Sequence, residues 1–155
     1  MLPQLNSYLD LLSKLEYDIE RYTKNNHTYE LLDCLLMLNA IPEWIASTKG
    51  VSTSLLQLAQ EKIQVMKGNV GVFDEDRLDS DLNTQLRCIR LICNHSKHKT
   101  DSPHIPTIKS EGGIAFPITF PGTFVNMIFI GEKKVNARKL ILDAYNFWKN
   151  AIDTL

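Results

Sequence analysis

The spacing of apolar residues is the feature that most constrains this fold. Five segments, residues 4–24, 28–46, 53–66, 81–98 and 135–154, carry apolar side chains at steps of three and four. This spacing brings them onto one side of an α-helix, because each residue turns the helix by about 100°. Such a face must be buried against another element. The pattern therefore predicts a mainly α fold, a bundle of about five helices in which short connections favour antiparallel neighbours.

The second segment is the best candidate for the centre of the bundle, because apolar residues occupy a wide arc of it. Thr28 is its predicted N-cap, since a hydroxyl there can accept a hydrogen bond from a free backbone N–H. Pro42 removes a backbone donor and clashes one turn back, which predicts a kink or a restart of the helix. Trp44 is interpreted as a core or interface anchor.

The composition changes before the last helix. Residues 101–134 hold four of the six prolines and four glycines, together with a β-rich run from Phe124 to Ile130. Gly112 and Gly113 are a turn signal. We therefore expect a small β-hairpin, at about residues 105–131, inserted into a single domain of residues 1–155. Its strands are too few to stand alone and must lean on the helices.

Charge and cysteine content limit the classes of function. The formal net charge is −1, from 17 basic and 18 acidic residues, so any nucleic-acid binding needs a local basic patch. The three cysteines, Cys34, Cys88 and Cys93, lie in apolar helical patterns and include no Cys-x-x-Cys pair, which predicts reduced, buried thiols in a cytoplasmic protein. No apolar run approaches the roughly 18 residues that span a bilayer, and the N-terminus lacks a basic leader, so we expect no membrane association and no signal peptide.

The fourth predicted helix carries the densest group of reactive side chains. One side of it is apolar: Leu82, Leu86, Ile89, Ile92 and Cys93. On the other side, within an arc of about 100°, lies a group that we call the basic face: Arg87, Arg90, Asn94, Lys97 and His98. His95 lies off this arc, beside Leu91.

The basic face has two interpretations. It is either an ordinary solvated surface or a site for phosphate or carboxylate groups, and the absence of any acidic residue from it favours the second. A zinc site formed by Cys93, His95, His98 and His104 is an alternative, but the spacing matches no zinc signature, so we expect no metal and no cofactor. The acidic loop of residues 68–80 is interpreted as a solvated loop.

The chain also lacks the short motifs of the common enzyme classes. It contains no Gly-x-Ser-x-Gly, no glycine-rich phosphate loop and no His-Glu-x-x-His. The sequence therefore does not favour a classic hydrolase, a kinase or a dinucleotide-dependent enzyme.

Arg90, four intervening residues and His95 form a pattern that resembles the HEPN superfamily of small helical domains. Asn94-x-x-Lys97-His98 is similar to a signature of bacterial and phage helical proteins of unassigned function. Those proteins also look like this chain around Pro42 and Trp44, and at the aromatic pair Phe147-Trp148.

This resemblance implies a metal-independent ribonuclease of a toxin–antitoxin or phage-defence system, or a member of the superfamily without activity. It implies catalytic roles for Arg90 and for His95 or His98. The charge of the basic face separately predicts that Arg87 and Lys97 bind the substrate phosphate, and that Asn94 positions the neighbouring ribose or a base edge. His98 lies closer to Arg90 around the helix than His95 does. The resemblance leaves open which histidine acts, or whether either does.

Three functions remain open at this point. They are a ribonuclease acting as a homodimer, a non-catalytic protein-interaction module, and a nucleotide or anion binder. The partners implied are RNA, an antitoxin or another protein, and a second copy of the chain, because two-fold dimers are the commonest soluble oligomers.

Overall fold

The structure, a computed structural model, describes residues 5–97, 105–112 and 124–155. Most of the described chain is helical, which confirms the predicted fold class. The helices are α1 (Tyr8–Asn25), α2 (Thr28–Ser47), α3 (Thr53–Lys67), α4 (Leu82–Lys97) and α5 (Ala137–Thr154). A short 3₁₀ helix, Glu75–Arg77, lies between α3 and α4.

The helix starts are set by side chains that accept the free backbone N–H groups of the first turn. Ser7 and Asp10 form a capping box at α1, and Ser52 accepts from the Leu55 N–H at the start of α3. At α2 the cap is His27, whose Nδ1 accepts from the Tyr29 N–H at 3.1 Å. The predicted cap, Thr28, is instead the first helical residue.

Helix α2 is the centre of the bundle, as its apolar arc predicts, and it packs against α1, α3, α4 and α5. It runs without a restart from Thr28 to Ser47, although Pro42 lies inside it and is buried. Leu38, Ile41 and Ile45 around the proline are all fully buried. Packing on this scale offsets the one backbone hydrogen bond that the proline removes.

The predicted hairpin is present, with one further strand. Strands β1 (Thr107–Gly112), β2 (Phe124–Ile130) and β3 (Lys133–Asn136) form an antiparallel sheet in the order β1-β2-β3. Gly112 still pairs with Phe124, so β1 continues through the first glycine of the predicted turn. The rest of that connection, residues 113–123, lies outside the described residues. β3 occupies positions that the sequence assigns partly to the last helix, which begins two residues later than predicted.

The sheet packs on the helices through one buried polar side chain and through apolar side chains. Asn126 of β2 donates from Nδ2 to the Tyr22 hydroxyl, at 2.9 Å, and to the Asn26 carbonyl, at 3.3 Å. Asn26 ends α1 in the left-handed conformation, with φ of +53°, which turns its carbonyl out of the helix. Ile128 and Ile130, on the same side of β2, are buried in the core. The sheet therefore leans on the bundle, as predicted.

The three cysteines are buried and none forms a disulfide, which confirms their predicted state. Trp44 packs half-buried against the core, and Trp148 of α5 is fully buried. No helix in the described ranges is both long enough and apolar enough to cross a membrane.

Candidate anion-binding face of α4

Helix α4 provides a rigid support for the basic face. It packs against α2, α3 and α5, and it is continuous from Leu82 to Lys97, as predicted. Its start is fixed by Asp81, which accepts hydrogen bonds from the Thr84 hydroxyl at 2.7 Å and the Thr84 backbone N–H at 3.0 Å. The hydroxyl bond in particular holds the pKa of the Asp81 carboxyl below its usual value. Side chains on α4 are therefore held in a fixed register.

Arg87 does not extend freely into solvent. Its Nη1 donates to the Met66 carbonyl in the last turn of α3. Its guanidinium also lies against Gly68, where an added Cβ would be 2.9 Å from the arginine Cζ. Gly68 ends α3 with φ of +79°, so Arg87 closes the negative end of that helix. The sequence assigned Arg87 to substrate binding, but one of its donors, Nη1, makes a structural contact instead.

Arg90 is the other guanidinium of the face, one turn further along α4. Its Nη1 lies 3.8 Å from Oε1 of Glu43 on α2, with the two side chains 23% and 55% exposed. This distance exceeds that of a good hydrogen bond, and such half-exposed pairs contribute little free energy. A ligand anion can therefore compete with Glu43 for Arg90.

The two arginines interact with each other. Burial, followed by the charge of Arg90, lowers the pKa of Arg87 below its usual value. Arg87 has no carboxylate partner in the described part of the chain. Arg87 and Arg90 therefore give this end of the basic face an excess of positive charge. Both side chains are half-buried, and the helix that carries them is packed on its neighbours.

The structure describes only some of the other predicted site residues. Asn94 and His95 are half-buried, and Nδ1 of His95 is buried without a hydrogen-bond partner among the described residues. His95 follows Arg90 by five positions, about 140° around the helix, so the two side chains of one chain diverge. The Lys97 side chain and all of His98 lie outside the described residues.

The structure contains a cleft beside Arg87 that the sequence did not predict. It has a volume of about 160 Å³ and lies between the end of α3, the following loop and α4. Its lining mixes apolar side chains, glycines and two polar side chains: Val65, Gly68, Val70, Gly71, Val72, Phe73, Asn83, Arg87 and Leu91. Residues 68–80 were interpreted as a solvated loop. Most of this loop is exposed, Val70 and Val72 at 53% and 85%, which confirms that interpretation. The signal for the cleft was the apolar group Val70-x-Val72-Phe73.

The described residues contain no group of three or more His, Cys, Asp or Glu side chains arranged to hold a metal ion. Of the zinc ligands considered as an alternative, Cys93 is buried in the core, while His98 and His104 lie outside the described ranges.

No protein-family model, curated protein or solved structure matches this chain. The likeness to the HEPN superfamily therefore rests on the Arg90-x4-His95 motif and the helical setting.

Proposed function

We propose that this chain is a HEPN-like RNA-binding domain that holds a phosphodiester on the basic face of α4 and, as a homodimer, cleaves RNA without a metal ion. One observation carries the proposal. Arg87 and Arg90 form a half-buried pair of like charges, and the only carboxylate paired with them in the described residues is Glu43, at 3.8 Å. A bound phosphate relieves the repulsion between the two guanidiniums.

The donors suit a phosphate. Arg87 uses Nη1 on the Met66 carbonyl, and its Nε and Nη2, which lie beside Gly68, have no acceptor among the described residues. Their N–H groups are the donors proposed for the ligand. Arg90 contributes a second fork, which can bind two phosphate oxygens at once. Asn94, one turn further along, supplies an amide for the neighbouring ribose or base. A protein of net charge −1 can bind RNA in this way because the charge is local.

The cleavage step follows from the motif. A histidine takes the proton of a 2′-hydroxyl, the 2′-oxygen bonds to phosphorus, and the bond from phosphorus to the 5′-oxygen breaks as that oxygen takes a proton from solvent water, which leaves a cyclic phosphate. Arginine stabilises the charge on the phosphoryl oxygens, a contribution of about 3 kcal/mol for one good donor. Because the Arg90 and His95 side chains of one chain diverge, a His95 that acts at this phosphate comes from a second copy.

The test is binding and cleavage of single-stranded RNA in the presence of a chelator. Arg90→Ala should weaken binding about 10-fold, the loss expected for a charged hydrogen-bonding group. The matched control is Arg138→Ala, an exposed arginine on α5 that removes the same charge elsewhere. Cleavage by the wild type that is lost in Arg90→Ala, and in either His95→Ala or His98→Ala, supports the ribonuclease.

Two outcomes would count against the proposal. RNA binding that depends on Arg90 without any cleavage overturns the ribonuclease and leaves an anion-binding protein. Absence of RNA binding overturns the whole proposal in favour of a protein-interaction module.

A further inference from the structure

We infer that the cleft between the end of α3 and α4 is a base pocket that takes one pyrimidine of the RNA strand held by the basic face. This inference rests on the proposed function. It adds a preference for particular bases, which neither the two arginines nor the Arg-x4-His motif provides, because contacts with phosphate carry no sequence information.

The size of the cleft suits a single six-membered ring. Its volume is about 160 Å³, close to the roughly 150 Å³ of a protein cavity known to hold one benzene ring. A pyrimidine has one six-membered ring, whereas the fused rings of a purine are larger. The apolar part of the lining, which includes Val65, Phe73 and Leu91, can pack against the faces of such a ring.

The polar side chains of the cleft determine whether it offers hydrogen-bond donors or acceptors to a ligand. Oδ1 of Asn83 accepts from Nζ of Lys62 at 3.0 Å. An ammonium group only donates, so this contact sets the orientation of the amide and leaves Nδ2 of Asn83 as the end available to the cleft. No described residue accepts from that group.

Lys62 is itself held in place, which makes the orientation of Asn83 stable. Its side chain is 10% exposed, it lies 3.7 Å from Oε1 of Glu61, and its ammonium is 5.5 Å from the centre of the Phe147 ring. Arg87, the other polar residue of the lining, also only donates. The cleft therefore offers donors to a ring that presents acceptors, such as the O2 carbonyl that uracil and cytosine share.

The cleft and the basic face are continuous. Arg87 lines the cleft, and Arg90 lies one turn further along α4, about 4.5 Å along the helix axis. This is less than the length of one nucleotide. A base that bonds to Asn83 in the cleft and the phosphate of the same nucleotide, held between Arg87 and Arg90, can therefore be bound together.

The experiment compares three oligoadenylates of equal length: one with a central uridine, one with a central cytidine, and one with adenine throughout. Binding is measured by fluorescence anisotropy, with a chelator to prevent metal effects. The wild type should bind each pyrimidine-containing strand about 10-fold more tightly than the all-adenine strand, the discrimination expected of one hydrogen-bonding contact with a base edge.

Asn83→Asp tests the pocket itself. It keeps an acceptor for Lys62 but replaces the free donor by a carboxylate oxygen, so the ratio of the affinities should fall to about one. The matched control is Asn69→Asp, which adds the same charge next to Gly68 but does not line the cleft, and which should keep the ratio. Circular dichroism checks that both variants fold.

The outcomes separate the two proposals. Equal binding of all three strands by the wild type, or a preserved ratio in Asn83→Asp, overturns the base pocket while the proposed function stands. Failure of every strand to bind overturns both.

Discussion

Arg87 combines two roles that usually belong to different residues. Its Nη1 closes the end of α3 at the Met66 carbonyl, and its remaining donors border the cleft. Gly68 makes this possible, because only a residue without a Cβ leaves room for the guanidinium there. Because the structural contact and the proposed binding contact belong to one side chain, substitution of Arg87 should affect stability as well as affinity. Arg90 is therefore the cleaner position for testing binding.

Gly68→Ala should lower the free energy of unfolding by more than Gly50→Ala. Both glycines have positive φ, +79° and +84°, where a Cβ costs about 1–2 kcal/mol. An alanine at position 68 also displaces Arg87, while nothing lies within 4 Å of a Cβ at position 50. The extra loss should be about 1 kcal/mol in urea denaturation. It should disappear in an Arg87→Ala background, and its persistence there would disprove the contact.

The cysteine thiols predict a dependence of stability on pH. Burial raises the pKa of Cys34 and of Cys88 from 9.0 to about 12. The native state therefore holds these protons more tightly than the unfolded chain does. The stabilisation is fully present below pH 9.0 and is lost as the pH rises towards about 12.

The measurement is urea denaturation at increasing alkaline pH, with the Cys34→Ala variant as the comparison. The variant should show a shallower decline in stability over this range. In the native wild type near neutral pH, a thiol reagent should label these buried groups slowly. Rapid labelling without unfolding would contradict the burial.

At the scale of elements, α1 and the sheet are joined by very little polar surface. The Nδ2 group of Asn126 donates to the Tyr22 hydroxyl and to the Asn26 carbonyl at the end of α1. Its Oδ1 accepts from the Ser110 hydroxyl of β1. This one side chain therefore ties two strands to the end of a helix. Removing one partner of a buried hydrogen bond leaves the other unsatisfied, which costs more than the bond contributes.

Asn126→Ala should lower the free energy of unfolding by about 1–3 kcal/mol. Tyr22→Phe should cost less, because Asn126 keeps its other partners. If the two residues act through their shared hydrogen bond, the double variant should cost less than the sum of the single variants. Additive losses in denaturant titrations would show that the bond at 2.9 Å does not couple the sheet to α1.

For the whole molecule, the orientation of α4 means that the proposed cleavage requires two chains. Arg90 and His95 point about 140° apart around a helix that is packed on α2, α3 and α5 and cannot rotate. A two-fold dimer that brings two copies of α4 together would place the arginine of one copy near the histidine of the other. The dimer and the ribonuclease activity are therefore one prediction rather than two.

Mixing two inactive variants tests this arrangement. Arg90→Ala combined with the inactive histidine variant should restore activity, because one of the two sites in each mixed dimer keeps both residues. With random exchange of subunits the recovery should reach about a quarter of wild-type activity. Sedimentation should show a dimer rather than the 17.7 kDa monomer. A monomer at high concentration, or no recovery on mixing, would reject the shared site.

Local patterns were enough to predict the helices. Their apolar spacing and caps act within a few residues, which is why the bounds of α2, α3 and α4 differ from the predicted ones by no more than about two residues. The same reasoning predicted the hairpin and the burial of the cysteines. It also singled out α4 as the helix with the most reactive side chains, because the identity of residues on a helical face follows from the sequence alone.

Distant contacts decided the rest. The partner of Arg87 is a carbonyl 21 positions away, and Glu43 meets Arg90 only because α2 packs against α4. β3 forms because β2 offers an open edge for pairing, although its last residues read as helix in isolation. The continuity of α2 through Pro42 and the cleft beside Arg87 depend likewise on packing. These features are set by the free energy of contacts between elements, which spacing along a single chain segment does not encode.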